Sequence, residues 1–293
     1  LREDAPRSET VSSSGLSLRV LVWDALGEPP EGAPRTVVLV HGYLDCAGTF
    51  APFVRHLPPW LRVVAPDMRG HGVSGRVPHS GWYHYDDYVR DLRRVVDALA
   101  QPPIALLGHS MGGGISVLFA GTWPEEIARL VLIEGLGPPV DSLDDGPKRM
   151  ARWVRELSGD GPAGSKPFAS MAEVAARLRR QNRGLSEELA PELAAWLAEE
   201  TESGARWRHD PWHRARSSHL YRPERYAPFL AAIRCPVLTV TGGTSWYRWD
   251  DLDARRAHIH DRRHQHFPDV GHMVHYEVPS QLAEHTAAFL VGG

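Results

Sequence analysis

Cysteine is nearly absent from this chain: Cys46 and Cys235 are the only two among 293 residues. One pair without metal-ligand spacing does not make a disulfide-stapled scaffold, so two free thiols in a cytoplasmic protein are expected. Long hydrophobic runs are missing too. Stretches such as Thr36–Val40 and Leu130–Ile133 fall far short of the roughly 18 residues that a membrane span needs. Leu1–Ser14 is polar and gives no signal peptide, although a start at Leu rather than Met leaves a processed leader open. Neither charge dominates: 33 Lys+Arg face 36 Asp+Glu, a formal −3, which argues against a nucleic-acid partner. With 42% hydrophobic and 24% charged residues, the composition is that of a globular protein, long enough for two domains or one with an insertion. The unusual features are 24 Pro, 10 Trp and 16 His.

Short apolar, β-branched runs recur along the chain. Leu16–Trp23 reads as an antiparallel strand. Thr36–Val40, Arg62–Ala65, Ile104–Leu107, Leu130–Ile133, Val237–Thr241 and Arg263–Phe267 follow. The middle ones are almost wholly apolar, as parallel strands covered on both faces must be. Helical patterns at Tyr85–Leu99, Ser110–Gly121 and Pro279–Leu290 lie between or after them, so a doubly wound, mostly parallel α/β sheet is expected. Between Gly135 and Tyr226 no strand is evident. Ser170 with Glu173 forms a capping box, and Leu189, Leu193, Trp196 and Leu197 make an apolar stripe. A helical cap over residues 136–226, inserted into a core of 1–135 and 227–293, would roof the carboxyl ends of the strands, where open α/β sheets bind ligands.

The sharpest chemical signal is Gly108-His109-Ser110-Met111-Gly112, which follows an apolar strand and opens a helix containing Gly113 and Gly114. That context defines a nucleophile elbow: small flanking residues permit a strained turn that exposes a serine hydroxyl beside the amino terminus of a helix. A serine hydroxyl is a weak nucleophile and needs a base. Among the histidines, His272 stands in a loop, Asp269-Val270-Gly271-His272, that leaves the last strand and can reach across the strand ends. His258, His260, His264 and His266 read as a solvated strand and helix face in preference to a metal site.

With these motifs, the chain resembles the α/β-hydrolase superfamily over nearly its whole length. The matching pieces are His41-Gly42, Asp67-Met68-Arg69-Gly70-His71-Gly72, the elbow, the cap and Gly271-His272. The resemblance implies Ser110 as nucleophile and His272 as general base. The backbone N–H groups of Met111 and Tyr43 would form the oxyanion hole, each such donor worth about 10²–10³ in rate. Asp67, Arg69, His71 and Ser74 would fix loop geometry. The third triad member departs from the commoner pattern, in which an Asp follows three residues after the glycine that closes the seventh strand. Here that glycine is Gly242 and the third residue on is Ser245. Two alternatives stand: an acid displaced to Asp250 or Asp251, with Asp253 also near, or Glu134 at the end of the sixth strand. A subset of the superfamily uses an acid at the latter place, which is the preferred reading.

A serine at position 110 argues against the carboxylate-nucleophile branches and for acyl transfer on a small-molecule ester, thioester or lactone, with no metal or cofactor. Hydrolytic carbon–carbon cleavage of a diketone-like substrate is the alternative, and an idle small-molecule binding protein on the same scaffold is a third reading. The stretch Arg206–Arg214 is similar to the last cap segment of serine-hydrolase-like members, where buttressing is expected. Trp207, Trp212, Trp246 and His109 are candidate substrate contacts, with Trp249. Oligomeric state is not legible.

Overall fold

The computed structural model describes residues 2, 5–78, 81–158 and 164–292; Leu1 and Gly293, the ends of the expected core, lie outside them. Eight strands form one sheet: β1 (Arg7–Ser13), β2 (Leu16–Trp23), β3 (Thr36–Val40), β4 (Arg62–Pro66), β5 (Ile104–His109), β6 (Ile127–Ile133) and, beyond a two-stranded hairpin β7 (Ala198–Thr201)/β8 (Gly204–Trp207), β9 (Val237–Gly242) and β10 (Arg262–Phe267). Their spatial order is β1-β2-β4-β3-β5-β6-β9-β10. The β1–β2 and β2–β4 pairs are antiparallel and the remaining pairs parallel. Alternate residues feed opposite faces: Val38, Val40, Leu106 and Leu132 join one core, Val37, Leu39, Leu107 and Ile133 the other. This double burial explains why the central strands read as unbroken apolar runs.

The helices are α1 (Ala51–Val54), α2 (Tyr85–Leu99), α3 (Met111–Thr122), α4 (Gly146–Leu157), α5 (Met171–Gln181), α6 (Leu189–Leu197), α7 (Pro223–Ala232), α8 (Leu252–Ala257), α9 (Val274–Glu277) and α10 (Pro279–Leu290). Asp86 and Asp87 in the first turn of α2 suit the positive end of its dipole, and Pro279 opens α10, where its missing N–H costs nothing. The α/β-hydrolase fold expected from the motifs is the fold observed.

Two strand expectations need correction. The polar amino-terminal segment is β1, an edge strand in which only Val11 and Ser13 are buried. Its turn, Ser14-Gly15, has both residues at positive φ (51° and 81°), as a tight hairpin demands. The segment between β6 and β9 is not purely helical: it contains α4, α5 and α6 but also the β7–β8 hairpin, which Phe168 extends by bridging to Ala205. Each hairpin strand has only four residues, too few for an alternation to stand out. The α5 capping box is present in modified form. Ser170 accepts the Glu173 N–H, whereas the Glu173 carboxylate reaches past the cap to the Ala169 N–H at 2.7 Å.

Val174, Leu178, Leu193 and Leu197 bring α5 and α6 together and pack them on Cys46 and Tyr276 of the core. The edge of the indole of Trp196 sits where a Cβ on Gly48 would be, so α6 lies directly against the loop after β3. Both cysteines are buried and unbridged.

Candidate active site

The turn from β5 into α3 creates the centre of the site. Ser110 adopts φ 52° and ψ −114°, a region that costs a non-glycine residue about 1–3 kcal/mol and persists only when its surroundings hold it. They do so through the two flanking glycines. A Cβ on Gly108 would stand 2.4 Å from the Gly112 carbonyl oxygen, and one on Gly112 would stand 2.1 Å from the Val40 oxygen. The Ser110 N–H is fixed on the Ile133 carbonyl at 2.9 Å.

Ser110 Oγ lies 3.0 Å from His272 Nε2, and His272 Nδ1 lies 3.1 Å from Glu134 Oε2. Glu134 is fully buried just past β6 and itself sits at φ 50°. Its Oε1 accepts the Gly242 N–H at 2.7 Å, and its Oε2 accepts the hydroxyl of Ser245. Ser245, at the position where the commoner pattern carries the acid, therefore turns its hydroxyl to a carboxylate arriving from β6. Asp251 instead pairs with Arg255 at 2.7 Å, and among the described contacts neither it nor Asp250 meets His272.

The loop after β3 closes the other side. Gly42 approaches the elbow so closely that a Cβ on it would meet His109 Nδ1 at 2.8 Å and Ser110 Cβ at 3.3 Å. Among the described residues, the N–H groups of Tyr43 and Met111 have no protein acceptor. The Tyr43 hydroxyl donates to the His213 carbonyl at 2.7 Å. Residues expected to shape this loop make structural bonds. Asp67 accepts the Ala47 and Val73 N–H groups, Arg69 forms a bidentate pair with Asp91, His71 Nε2 accepts the Leu44 N–H, and Ser74 donates to the Asp67 carbonyl. The buttress expected of Arg206–Arg214 is present: the Asp210 N–H donates to the Gly70 carbonyl, Tyr83 donates to the Asp210 carboxylate, and His213 stacks 4.0 Å from His71.

The candidate substrate contacts divide. Trp246 lies with its ring 4.3 Å from that of His272 and lines the cavity that holds Ser110, as does Trp249. That cavity, about 450 Å³, is walled largely by Trp82, Tyr83, Tyr85, Tyr88, Trp246 and Tyr247. Trp207 is not on it: its indole packs edge-on against Phe168, 5.1 Å away, on a neighbouring groove. Trp212 is buried in the core beside Trp82, and His109 is buried with Nε2 on the His272 carbonyl at 3.0 Å, so neither reaches the Ser110 cavity. The sequence reading missed what lies beneath. His109, His275 and Asp45 converge as a buried group whose ligating atoms all fall within 4.8 Å, and Asp45 is held by Tyr276, Thr49 and Cys46. His264 and His266, by contrast, bond to Thr239 and Thr241.

A model of the alpha/beta hydrolase fold family matches residues 35–279. The chain belongs to the α/β-hydrolase fold family. The chain is 32% identical over 190 residues to a serine hydrolase-like protein of Danio rerio, an alignment covering 64% of this chain and 56% of that one. It is 40% identical over 129 residues to the 2-hydroxy-6-oxononadienedioate/2-hydroxy-6-oxononatrienedioate hydrolase of Escherichia coli O139:H28, covering 43% of each. The chain thus spans about half the length of these curated relatives. A thioesterase domain from the curacin biosynthetic pathway superimposes with a TM-score of 0.84 at 26% identity, over 96% of this chain and 99% of that domain.

The buried histidines beside the site should make the chain acid-sensitive. Burial, reinforced by neighbouring histidines, pushes His71 well below the ordinary histidine range and His213 down to about 3. Both are neutral in the folded chain, while the unfolded chain takes up protons near pH 6.5. Their contribution is therefore complete above that value and is lost as pH falls below it, by up to about 1.4 kcal/mol per group per pH unit. Between pH 7 and 5.5 the pair should cost about 2–3 kcal/mol, lowering the thermal midpoint by roughly 3–5 °C. A calorimetric midpoint that stays level over this interval would contradict their burial as neutral rings.

Proposed function

We propose that the chain is a serine hydrolase that cleaves a small carboxylic ester, thioester or lactone through an acyl-enzyme on Ser110. The observation that carries this reading is the unbroken relay from Ser110 Oγ to His272 Nε2 and from His272 Nδ1 to Glu134 Oε2, at 3.0 and 3.1 Å. In it, His272 takes the serine proton as Oγ attacks the carbonyl carbon and returns it to the leaving group. Glu134 keeps the ring in the productive tautomer and balances its transient positive charge. The free N–H groups of Tyr43 and Met111 receive the oxyanion of the tetrahedral intermediate. Water then enters, His272 activates it, and the acid is released with Ser110 restored. Residues 136–226 act as the cap, which contributes Gly137, Pro138 and Arg214–Ser217 to the walls of the Ser110 cavity.

A fluorophosphonate tests this directly, since it reacts only with a serine whose base and oxyanion donors are aligned. Labelling at Ser110, abolished in Ser110→Ala, is the expected outcome; an unlabelled wild-type protein would make the scaffold an idle binder. Carbon–carbon hydrolysis is the second reading, favoured by the relative named for a hydroxy-oxo dienedioate. Turnover of diketone-like acids in preference to esters would move the assignment there.

A further inference from the structure

Ser110 and Met111 line the aromatic cavity and not the neighbouring groove; His272 lines the groove and not the aromatic cavity. The groove is larger, about 1090 Å³, and the two share Tyr43, Arg214 and Trp246 as a neck. This arrangement gives the two halves of a substrate separate places. In acyl transfer, the base must protonate the departing atom, so the leaving group lies on the side of His272. The acyl chain then lies on the other side of the serine, among the aromatic rings.

The groove's walls say what kind of leaving group fits. Lys166, Arg177, Arg180, Arg183 and Arg214 line it. None of the five has an ion-pair partner among the described residues, in a chain that pairs most of its other arginines nearby, such as Arg179 with Glu187 and Arg206 with Glu199. Arg177 and Arg180, three apart on α5, share one helical face. The acids of the groove are largely engaged elsewhere: Glu173 on the Ala169 N–H, Glu277 on the Gly271 N–H, and buried Asp45 on Cys46, Thr49 and Tyr276; Asp269 completes the set. Arg214 also lines a side cavity of about 270 Å³ with Arg76 and Arg206, and among the described residues no carboxylate lines that cavity.

We propose that the substrate is an acyl ester or thioester whose leaving group carries a phosphate, bound in this groove by Arg177, Arg180, Arg183, Lys166 and Arg214. The inference rests on the serine-hydrolase reading and adds the leaving-group class to it. Ser110 Oγ bonds to the acyl carbon, the C–O or C–S bond breaks, and the electron pair and the His272 proton leave with the phosphorylated alcohol or thiol. Guanidinium–phosphate contacts are charge-assisted and often bidentate, which suits binding through the part of the substrate that does not react.

Matched pairs differing only by the phosphate test it. Butyryl-pantetheine is compared with butyryl-4′-phosphopantetheine, and 1-butyrylglycerol with its 3-phosphate, so that a long thiol carrier and a short glycerol headgroup are distinguished. The expected result is a kcat/KM at least tenfold higher for the phosphorylated member of one pair. That ratio should fall about tenfold in Arg177→Glu/Arg180→Glu and shrink with added salt. Because the ratio compares two substrates on the same preparation, loss of folded protein in the variant cancels. Ratios near one in both pairs, with the neutral esters turned over, overturn the leaving-group assignment alone. No turnover of any member, together with an unlabelled Ser110, overturns the hydrolase reading and this inference with it.

Discussion

Ser110→Ala and His272→Ala should each lower kcat for a neutral ester by on the order of 10⁵–10⁶, and the double variant should be scarcely worse than either. The geometry is the reason. Oγ and Nε2 are 3.0 Å apart, so the proton leaves as the carbon–oxygen bond forms, and a serine without its base is no better placed than a bound water. What survives in each variant is rate enhancement from the Tyr43 and Met111 N–H groups and from the aromatic walls, the same remainder in both. Stopped-flow turnover at matched folded concentration measures it. Additive losses in the double variant would mean that the two residues act separately, and residual activity above about 1% in Ser110→Ala would require another nucleophile.

The parts of this site that were legible in the sequence are those in which backbone geometry restricts residue choice. The elbow is readable because Gly108 and Gly112 have no space for a Cβ and because the strand before it and the helix after it carry opposite periodicities. His272 is readable as the lone histidine in the loop after the last strand, where short chain distance limits what can reach the serine. The choice of acid was harder: Glu134 and the Asp250–Asp251 pair differ in tertiary position, and only the packing of β6 against β9 brings Glu134 Oε1 to the Gly242 N–H. The tryptophans were less legible: of Trp207, Trp212 and Trp246, Trp246 lines the Ser110 cavity and the other two do not. A large aromatic reads alike whether it packs in a core, edges a groove or faces a substrate. Nor was the Asp45–His109–His275 group legible, whose members lie in the loop after β3, at the end of β5 and in α9 and meet only beneath the folded site.

Glu134→Gln should lower kcat by about 10³–10⁴ while leaving the fold intact, whereas Asp250→Asn and Asp251→Asn should retain near-normal turnover. The amide has the same size as the carboxylate but one acceptor end and one donor end. Gly242 offers an N–H to Oε1, so the amide oxygen settles there and the NH₂ faces Ser245 and His272. An NH₂ toward His272 Nδ1 selects the ring tautomer protonated at Nε2, which then points a hydrogen at Ser110 and has no lone pair to accept one. The loss thus falls on kcat rather than on substrate binding. Asp251→Asn weakens the pair with Arg255, which also donates to the Leu136 and Pro138 carbonyls, so its effect should appear in thermal stability. A second change separates a wrong tautomer from mere damage. Ser245 shares Glu134 Oε2 with His272, so Ser245→Asp placed in the Glu134→Gln protein puts a carboxylate back within reach of the imidazole. Recovery of one to two orders of magnitude in kcat is expected. Failure to recover, with Asp250→Asn inactive on its own, would transfer the role of the acid to the loop after β9.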